Sequence, residues 1–156
     1  MKVLFVCTAN ICRSPMAAEY MRHRVAQSGL SHVVVDSGGL MGIQNEPAAP
    51  EAITVLAEHG IDLRGHRSSG ISQADMRTAD LVVVMAQGHL SALEFRYPQL
   101  VGRRELIRAY EHGPEPRPGA PDLDDPIGGP IEGYRESFET IRTCLDYLCT
   151  HLKHQR

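Results

Sequence analysis

The chemistry of this chain begins at Cys7, the last residue of an apolar run, in "CTANICRSP". A cysteine, five residues, then Arg13 and Ser14 make a C-x5-R-S spacing between a strand-like segment and a helix-like one. A loop feeding a helix N-terminus turns its backbone N–H groups toward a common point and forms an anion cradle. Arg13 adds a planar fork of donors that matches the oxygens of a phosphate, and Ser14 adds a hydroxyl. A cysteine beside a helix N-terminus and a guanidinium titrates at roughly 3.5–7.5 instead of about 8.5. A depression of about three units corresponds to roughly 4 kcal/mol in favour of thiolate. Cys7 is therefore expected as a nucleophile already ionised inside an oxyanion pocket. The competing reading, a strand-end cysteine packed as a small hydrophobe, leaves the Arg13-Ser14 spacing unexplained.

The elements that must position these residues alternate between two periods. "MKVLFVC" is rich in β-branched and aromatic residues and reads as a buried strand. From Pro15 to Gly29 the period is helical, with Met16, Ala17, Tyr20, Met21 and Val25 near one face. "HVVVDSGG" reads as a second strand, and "PAAPEAITVLAEHGI" as a helix with Ala52, Val55 and Leu56 inward and Gly60 at its end. Ser72 is an N-cap for "SQADMRTA", "DLVVVMA" is the clearest buried strand, and "QGHLSALEFRY" is a helix stopped by Pro98. "ELIRAY" reads as a short strand. Tyr134, Phe138, Ile141, Leu145 and Leu148 lie on one face of a helix from Ile131 to Leu152. This alternation predicts an α/β fold, a single three-layer domain over residues 1–156. Its centre is a four-stranded parallel sheet flanked by helices, with the phosphate-binding loop after the first strand. "EHGPEPRPGAPDLDDPIGGP" is too long and too rich in Pro, Gly and acid for an inert connection.

Bulk properties narrow the function classes. A hydrophobic content of 42% and a charged content of 22% are those of a globular protein. A net charge of −3 argues against a nucleic-acid binder, so any anion is captured locally. The apolar run after Lys2 is too short for a signal peptide and "LVVVMA" too short to span a bilayer, so no membrane partner and a cytoplasmic location are expected. Cys7, Cys12, Cys144 and Cys149 offer neither a disulfide framework nor zinc-ligand spacing. No metal or other cofactor is expected.

The loop "CTANICRSP" resembles the phosphate-binding loop of the low-molecular-weight protein tyrosine phosphatases. "DSGG", "GIDLRGHRS", "ADLVVVM" and "DDPIGG" follow in that family's order, so the resemblance spans almost the whole chain. It implies that Cys7 attacks phosphorus to form a cysteinyl-phosphate, while Arg13 and the amides of Thr8, Ala9, Asn10, Ile11, Cys12 and Arg13 hold the phosphoryl oxygens. Ser14 would hydrogen-bond the thiolate. Asn10 would brace the loop with Ser37 and His66. Asp125, in the D-P pair with Pro126, would act as general acid and then as general base. Its neighbours Asp122 and Asp124 would raise the loop's proton affinity by like-charge repulsion. Cys12 would be a redox partner, forming a reversible disulfide that shields Cys7 from over-oxidation. The implied substrate is a phosphorylated protein and the product inorganic phosphate. Neither the physiological substrate nor an oligomeric state is written in the sequence.

The chain also departs from the family. The aromatics that line such pockets are absent, leaving Ile11, Met41 and Ile127 as the expected pocket wall. Protein-arginine phosphatases resemble this chain in "VMAQGH" and "DPIGG" but carry threonine where it has Ile11. Ile11 favours an apolar aryl group, so phosphotyrosine is the expected substrate and phosphoarginine the alternative. Arsenate reductases of this fold need further cysteines after the third strand, and none lies between Cys12 and Cys144. A non-catalytic phosphopeptide-binding module would use the cradle but has no need of Cys7 or Asp125.

Overall fold

In a computed structural model that describes residues 1–99 and 103–155, four strands build one parallel sheet. They are β1 (Lys2–Cys7), β2 (Val34–Gly39), β3 (Leu81–Val84) and β4 (Arg103–Leu106), in the order β2-β1-β3-β4. Five helices surround them: α1 (Arg13–Gln27), α2 (Pro50–Glu58), α3 (Gln73–Thr78), α4 (Gln87–Arg96) and α5 (Ile131–His154).

The central strands β1 and β3 read as nearly unbroken apolar runs because both faces of the sheet are covered there. Successive side chains point to opposite faces. Val3 and Phe5 of β1 and Leu81 and Val83 of β3 pack with Met16 and Met21 of α1, Leu56 of α2 and Phe138, Leu145 and Leu148 of α5. Leu4, Val6, Val82 and Val84 face the other way, against Met76 of α3 and Leu93 of α4. The three layers expected from the alternation are thus present.

Local signals explain most of the boundaries. Ser72 caps α3 reciprocally with Asp75, whose carboxylate accepts the Ser72 N–H while its own N–H donates to the Ser72 hydroxyl. Gly60 follows the end of α2 with a φ of +74°, the left-handed conformation that ends many helices. α1 begins at Arg13, two residues before Pro15, which therefore occupies its first turn.

One element differs from expectation. "ELIRAY" is a strand only as far as Leu106, and Ile107–Tyr110 is a 3₁₀ turn. Ile107 and Tyr110, spaced i and i+3, are both fully buried, and a 3₁₀ turn puts such a pair on one side where a strand would split it. Among the described residues no helix is long and apolar enough to cross a membrane.

β1 is flanked by β2 on one side and β3 on the other, so the chain reverses its winding direction there. The crevice at the carboxyl ends of strands at such a switch point is where α/β sheets bind ligands. Cys7 ends β1 at that point.

Candidate active site

The turn from β1 into α1 is held open by Asn10, a non-glycine residue at φ 63° with no exposed surface. Asn10 saturates its hydrogen-bonding groups. Its Nδ2 donates to Ser14 Oγ at 2.8 Å and to Ser37 Oγ at 3.0 Å, and its Oδ1 accepts the Ser69 N–H at 3.1 Å. Its carbonyl accepts from His66 Nε2 at 2.8 Å, so that ring nitrogen carries a proton. Burial pulls the His66 imidazole below its ordinary value, partly offset by that bond.

These bonds aim two donors at Cys7 Sγ. Ser14 Oγ already accepts from Asn10, which leaves its own proton free for Cys7 Sγ at 2.9 Å. The Asn10 N–H points at the same sulfur from 3.3 Å.

Gly39, at the end of "DSGG", shows why the second glycine is there. A Cβ at Gly39 would lie 2.8 Å from the Ala9 carbonyl carbon and 3.0 Å from Asn10 N. Beyond it the chain is zipped to the loop: Leu40 N–H donates to the Cys7 carbonyl at 3.0 Å and Met41 N–H to the Thr8 carbonyl at 2.9 Å. On the far side Ala49 N–H donates to the Ile11 carbonyl at 3.1 Å.

Arg13 is 5% exposed and faces the loop before α5. One guanidinium nitrogen donates to the Leu123 carbonyl at 2.8 Å and the other meets Asp125 Oδ2 at 3.3 Å. Asp125 is tied locally as well, its Oδ1 accepting the Ile127 N–H at 3.1 Å. Cys7, Thr8, Ala9, Ile11, Cys12, Arg13, Asp125 and Ile127 line one narrow cleft. Cys12 Sγ lies 3.6 Å from the Tyr134 hydroxyl, and burial pushes its thiol up to about 11.

The residues expected to line the cleft are therefore found there, with Met41 and Asp122 as exceptions. Met41 does not line the cleft: its side chain is 64% exposed and only its backbone serves the loop. The apolar side chain turned inward after "DSGG" is Leu40, which packs on the layer with α3 and α4. Asp122 does not converge on Asp125 but accepts the Gln87 N–H at 2.7 Å.

Other functional contacts have no local sequence signal. The Leu123 carbonyl on Arg13 is a backbone atom, and His89, which meets Thr8 Oγ1 at 2.9 Å, lies 81 residues away from it. The only pointer to His89 was its place just after the strand beside β1. Among the described residues no three His, Cys, Asp or Glu side chains come together as metal ligands would.

Residues 2–156 match the family described as low molecular weight phosphotyrosine protein phosphatase. The chain belongs to that family. With it the chain is a phosphatase hydrolase. It is 37% identical to a low molecular weight protein-tyrosine-phosphatase of Streptomyces coelicolor, with 99% of this chain and 94% of that one covered. It is 34% identical to a protein-arginine-phosphatase of Geobacillus stearothermophilus, covering 97% of this chain and 96% of the relative. The fold matches a crystal structure of a YwlE mutant from Bacillus subtilis with a TM-score of 0.89 at 31% identity, over 98% and 99% of the two chains.

Proposed function

We propose that this phosphatase hydrolyses phosphotyrosine in proteins through a cysteinyl-phosphate intermediate, with Cys7 as nucleophile, Arg13 as phosphate clamp and Asp125 as general acid and base. The observation that carries the reading is the convergence on one cleft of a doubly hydrogen-bonded Cys7 sulfur, a buried guanidinium and a carboxylate.

In the first step Cys7 Sγ forms a bond to phosphorus as the bond to the tyrosyl oxygen breaks, and that oxygen takes a proton from Asp125. In the second, water attacks phosphorus, gives a proton to the Asp125 carboxylate and expels the Cys7 sulfur, to which Ser14 donates. Inorganic phosphate leaves. The loop amides and Arg13 would meet the charge spread over the phosphoryl oxygens, Arg13 once Asp125 has left it. The phosphoryl dianion takes the place of Asp125 on Arg13, and the released carboxylate, protonated from solvent, then approaches the leaving oxygen as the carboxylic acid.

Ile11 supports the choice of an aryl substrate, since it presents an apolar surface inside the cleft beside Ile127. A second reading, phosphoarginine, is favoured by the arginine phosphatase among the relatives and by Ile127, 54% exposed, where an aromatic would stack on a phenol ring. Phosphate release from a phosphotyrosine peptide and a phosphoarginine peptide, side by side with Cys7→Ser as control, tests both. Faster tyrosine turnover that vanishes in the control is expected. Faster arginine turnover would transfer the function to the second reading.

The redox role of Cys12 belongs to the same proposal. Peroxide oxidises the Cys7 thiolate to a sulfenic acid, and the Cys12 thiol then displaces hydroxide to give a disulfide and water. Recovery of peroxide-treated enzyme with added thiol should drop in Cys12→Ser; equal recovery would remove Cys12 from this role.

A further inference from the structure

The first turn of α4 touches both loops of the cleft without lining it. His89, in that turn, is 6% exposed. Its Nδ1 accepts the Ala86 N–H at 3.1 Å, so Nδ1 carries no proton. The proton of the neutral ring is therefore on Nε2, which donates to Thr8 Oγ1 at 2.9 Å. Burial, and after it the nearby Arg13 charge, push the imidazole down to about 4, which keeps it neutral. With its oxygen accepting from His89, Thr8 keeps its own hydroxyl proton for another acceptor, and Thr8 lines the cleft beside Cys7. At the start of the same turn the Gln87 N–H donates to Asp122 Oδ1 at 2.7 Å, and just before it the Met85 carbonyl accepts the Leu123 N–H at 2.8 Å. Leu123 and Asp125 then hold Arg13.

We propose that the first turn of α4 is a positioning element with two ends, His89 fixing the nucleophile loop through Thr8 and the Gln87–Asp122 junction fixing the acid loop. The span between Cys7 and Asp125 is then set by a helix packed on the sheet through Leu93, and not by the acid loop itself. The inference rests on the roles given above to Cys7 and Asp125. The two ends have different kinetic signatures. Releasing the acid loop weakens proton donation, which matters most for leaving groups of high pKa. Releasing Thr8 weakens phosphoryl recognition, which is common to every substrate.

The test is kcat/KM over a series of aryl phosphates from dinitrophenyl to unsubstituted phenyl, for Asp122→Ala, Gln87→Pro, His89→Leu and His89→Gln. Proline suits the first helical position, and Ala86 at φ −149° and ψ 157° is already in the extended conformation that precedes a proline. Gln87→Pro thus deletes the donor while leaving Asp122 and the helix intact, and it carries the test if Asp122→Ala fails to fold. Both are expected to lose about tenfold on phenyl phosphate and less than about twofold on the dinitrophenyl ester. His89→Leu should lose about tenfold evenly along the series, with inorganic phosphate a weaker competitive inhibitor by a similar factor. His89→Gln should return to within about threefold of wild type, because Gln at this helix position accepts the N-cap N–H and has an amide left for Thr8. An even loss in Gln87→Pro, or a Gln variant no better than Leu, would overturn the proposal. Activity that survives Cys7→Ser would instead sink the underlying mechanism, so the two failures are separable.

Discussion

The loop after β1, the proposed nucleophile loop, and the loop before α5, the proposed acid loop, face each other across one cleft and are held in opposite ways. Between Cys7 and Ser14 the backbone is clamped by Leu40, Met41 and Ala49, and the buried Asn10 is bonded on every side. The acid loop is tied by individual hydrogen bonds to Gln87, Met85, Arg13, Arg108 and Ser137, with a few internal turns, and the Asp125 side chain is 38% exposed. A cradle for developing charge must be preorganised to stabilise it without cost at the moment of reaction. An acid that gives a proton to one oxygen and takes one from another must be able to move. On the proposed mechanism, rigidity and freedom are divided between the two loops along that line.

The largest expected effect breaks the rigid side at its centre. Cys7→Ser should lower kcat by more than about 10⁴-fold on phosphotyrosine peptide, since it removes the bond-forming atom. The complementary change, Asp125→Asn, should cost about 10²–10³-fold and should cost it unevenly, sparing substrates whose leaving groups need no proton. A loss in Asp125→Asn that is flat across leaving groups would mean that Asp125 only balances the charge of Arg13. Labelling separates the two cysteines as well. Iodoacetate at pH 6 should alkylate Cys7, with phosphate protecting, and should leave Cys12, whose buried thiol is held far above that pH.

A pH scan sharpens the same contrast in stability. His89, hydrogen-bonded to Thr8, has its imidazole at about 4 in the folded protein against an ordinary 6.5. The unfolded chain therefore takes up a proton that the native state refuses. Stability is full above about pH 6.5 and falls as pH drops toward 4, by up to roughly 3 kcal/mol from this group. His66, also lowered by burial, acts in the same direction. Denaturant midpoints at pH 7 and pH 4.5 should converge in His89→Gln relative to wild type; an unchanged gap would locate the acid sensitivity elsewhere.

What could be read in advance follows from this division. The nucleophile loop is contiguous, so its spacing from Cys7 to Ser14 carries its chemistry in one string. The place of Asp125 at the cleft is legible because the proposed chemistry calls for a proton donor and Pro126 marks the position. His89 and the Leu123 carbonyl were not, since one is a common residue 81 positions from its partner and the other a backbone atom. Met41 reads as pocket wall in the sequence because composition cannot tell which of two adjacent apolar residues turns inward, and Leu40 does. The buried strands β1 and β3 were plain from their unbroken apolar runs. At the edge, β4 exposes Arg103 and Arg104 in part, and its pattern blurred into the 3₁₀ turn that follows.

Two glycines give the finest test of the comparison. Gly39 touches the nucleophile loop, where a Cβ would press on Ala9 and Asn10 backbone at 2.8–3.0 Å. Gly128 lies in the acid loop with a φ of +76°, and a Cβ there meets nothing within 4 Å. Alanine at Gly39 must push the phosphate cradle, at a cost of about 1–3 kcal/mol, and should lower kcat/KM about tenfold. Alanine at Gly128 strains its own backbone by about 1 kcal/mol and moves no neighbour, so kcat/KM should stay within about twofold. If the Gly128 variant proved the worse enzyme, the acid loop's own backbone would be the demanding part of the site, and the nucleophile loop would be the one with room to adjust.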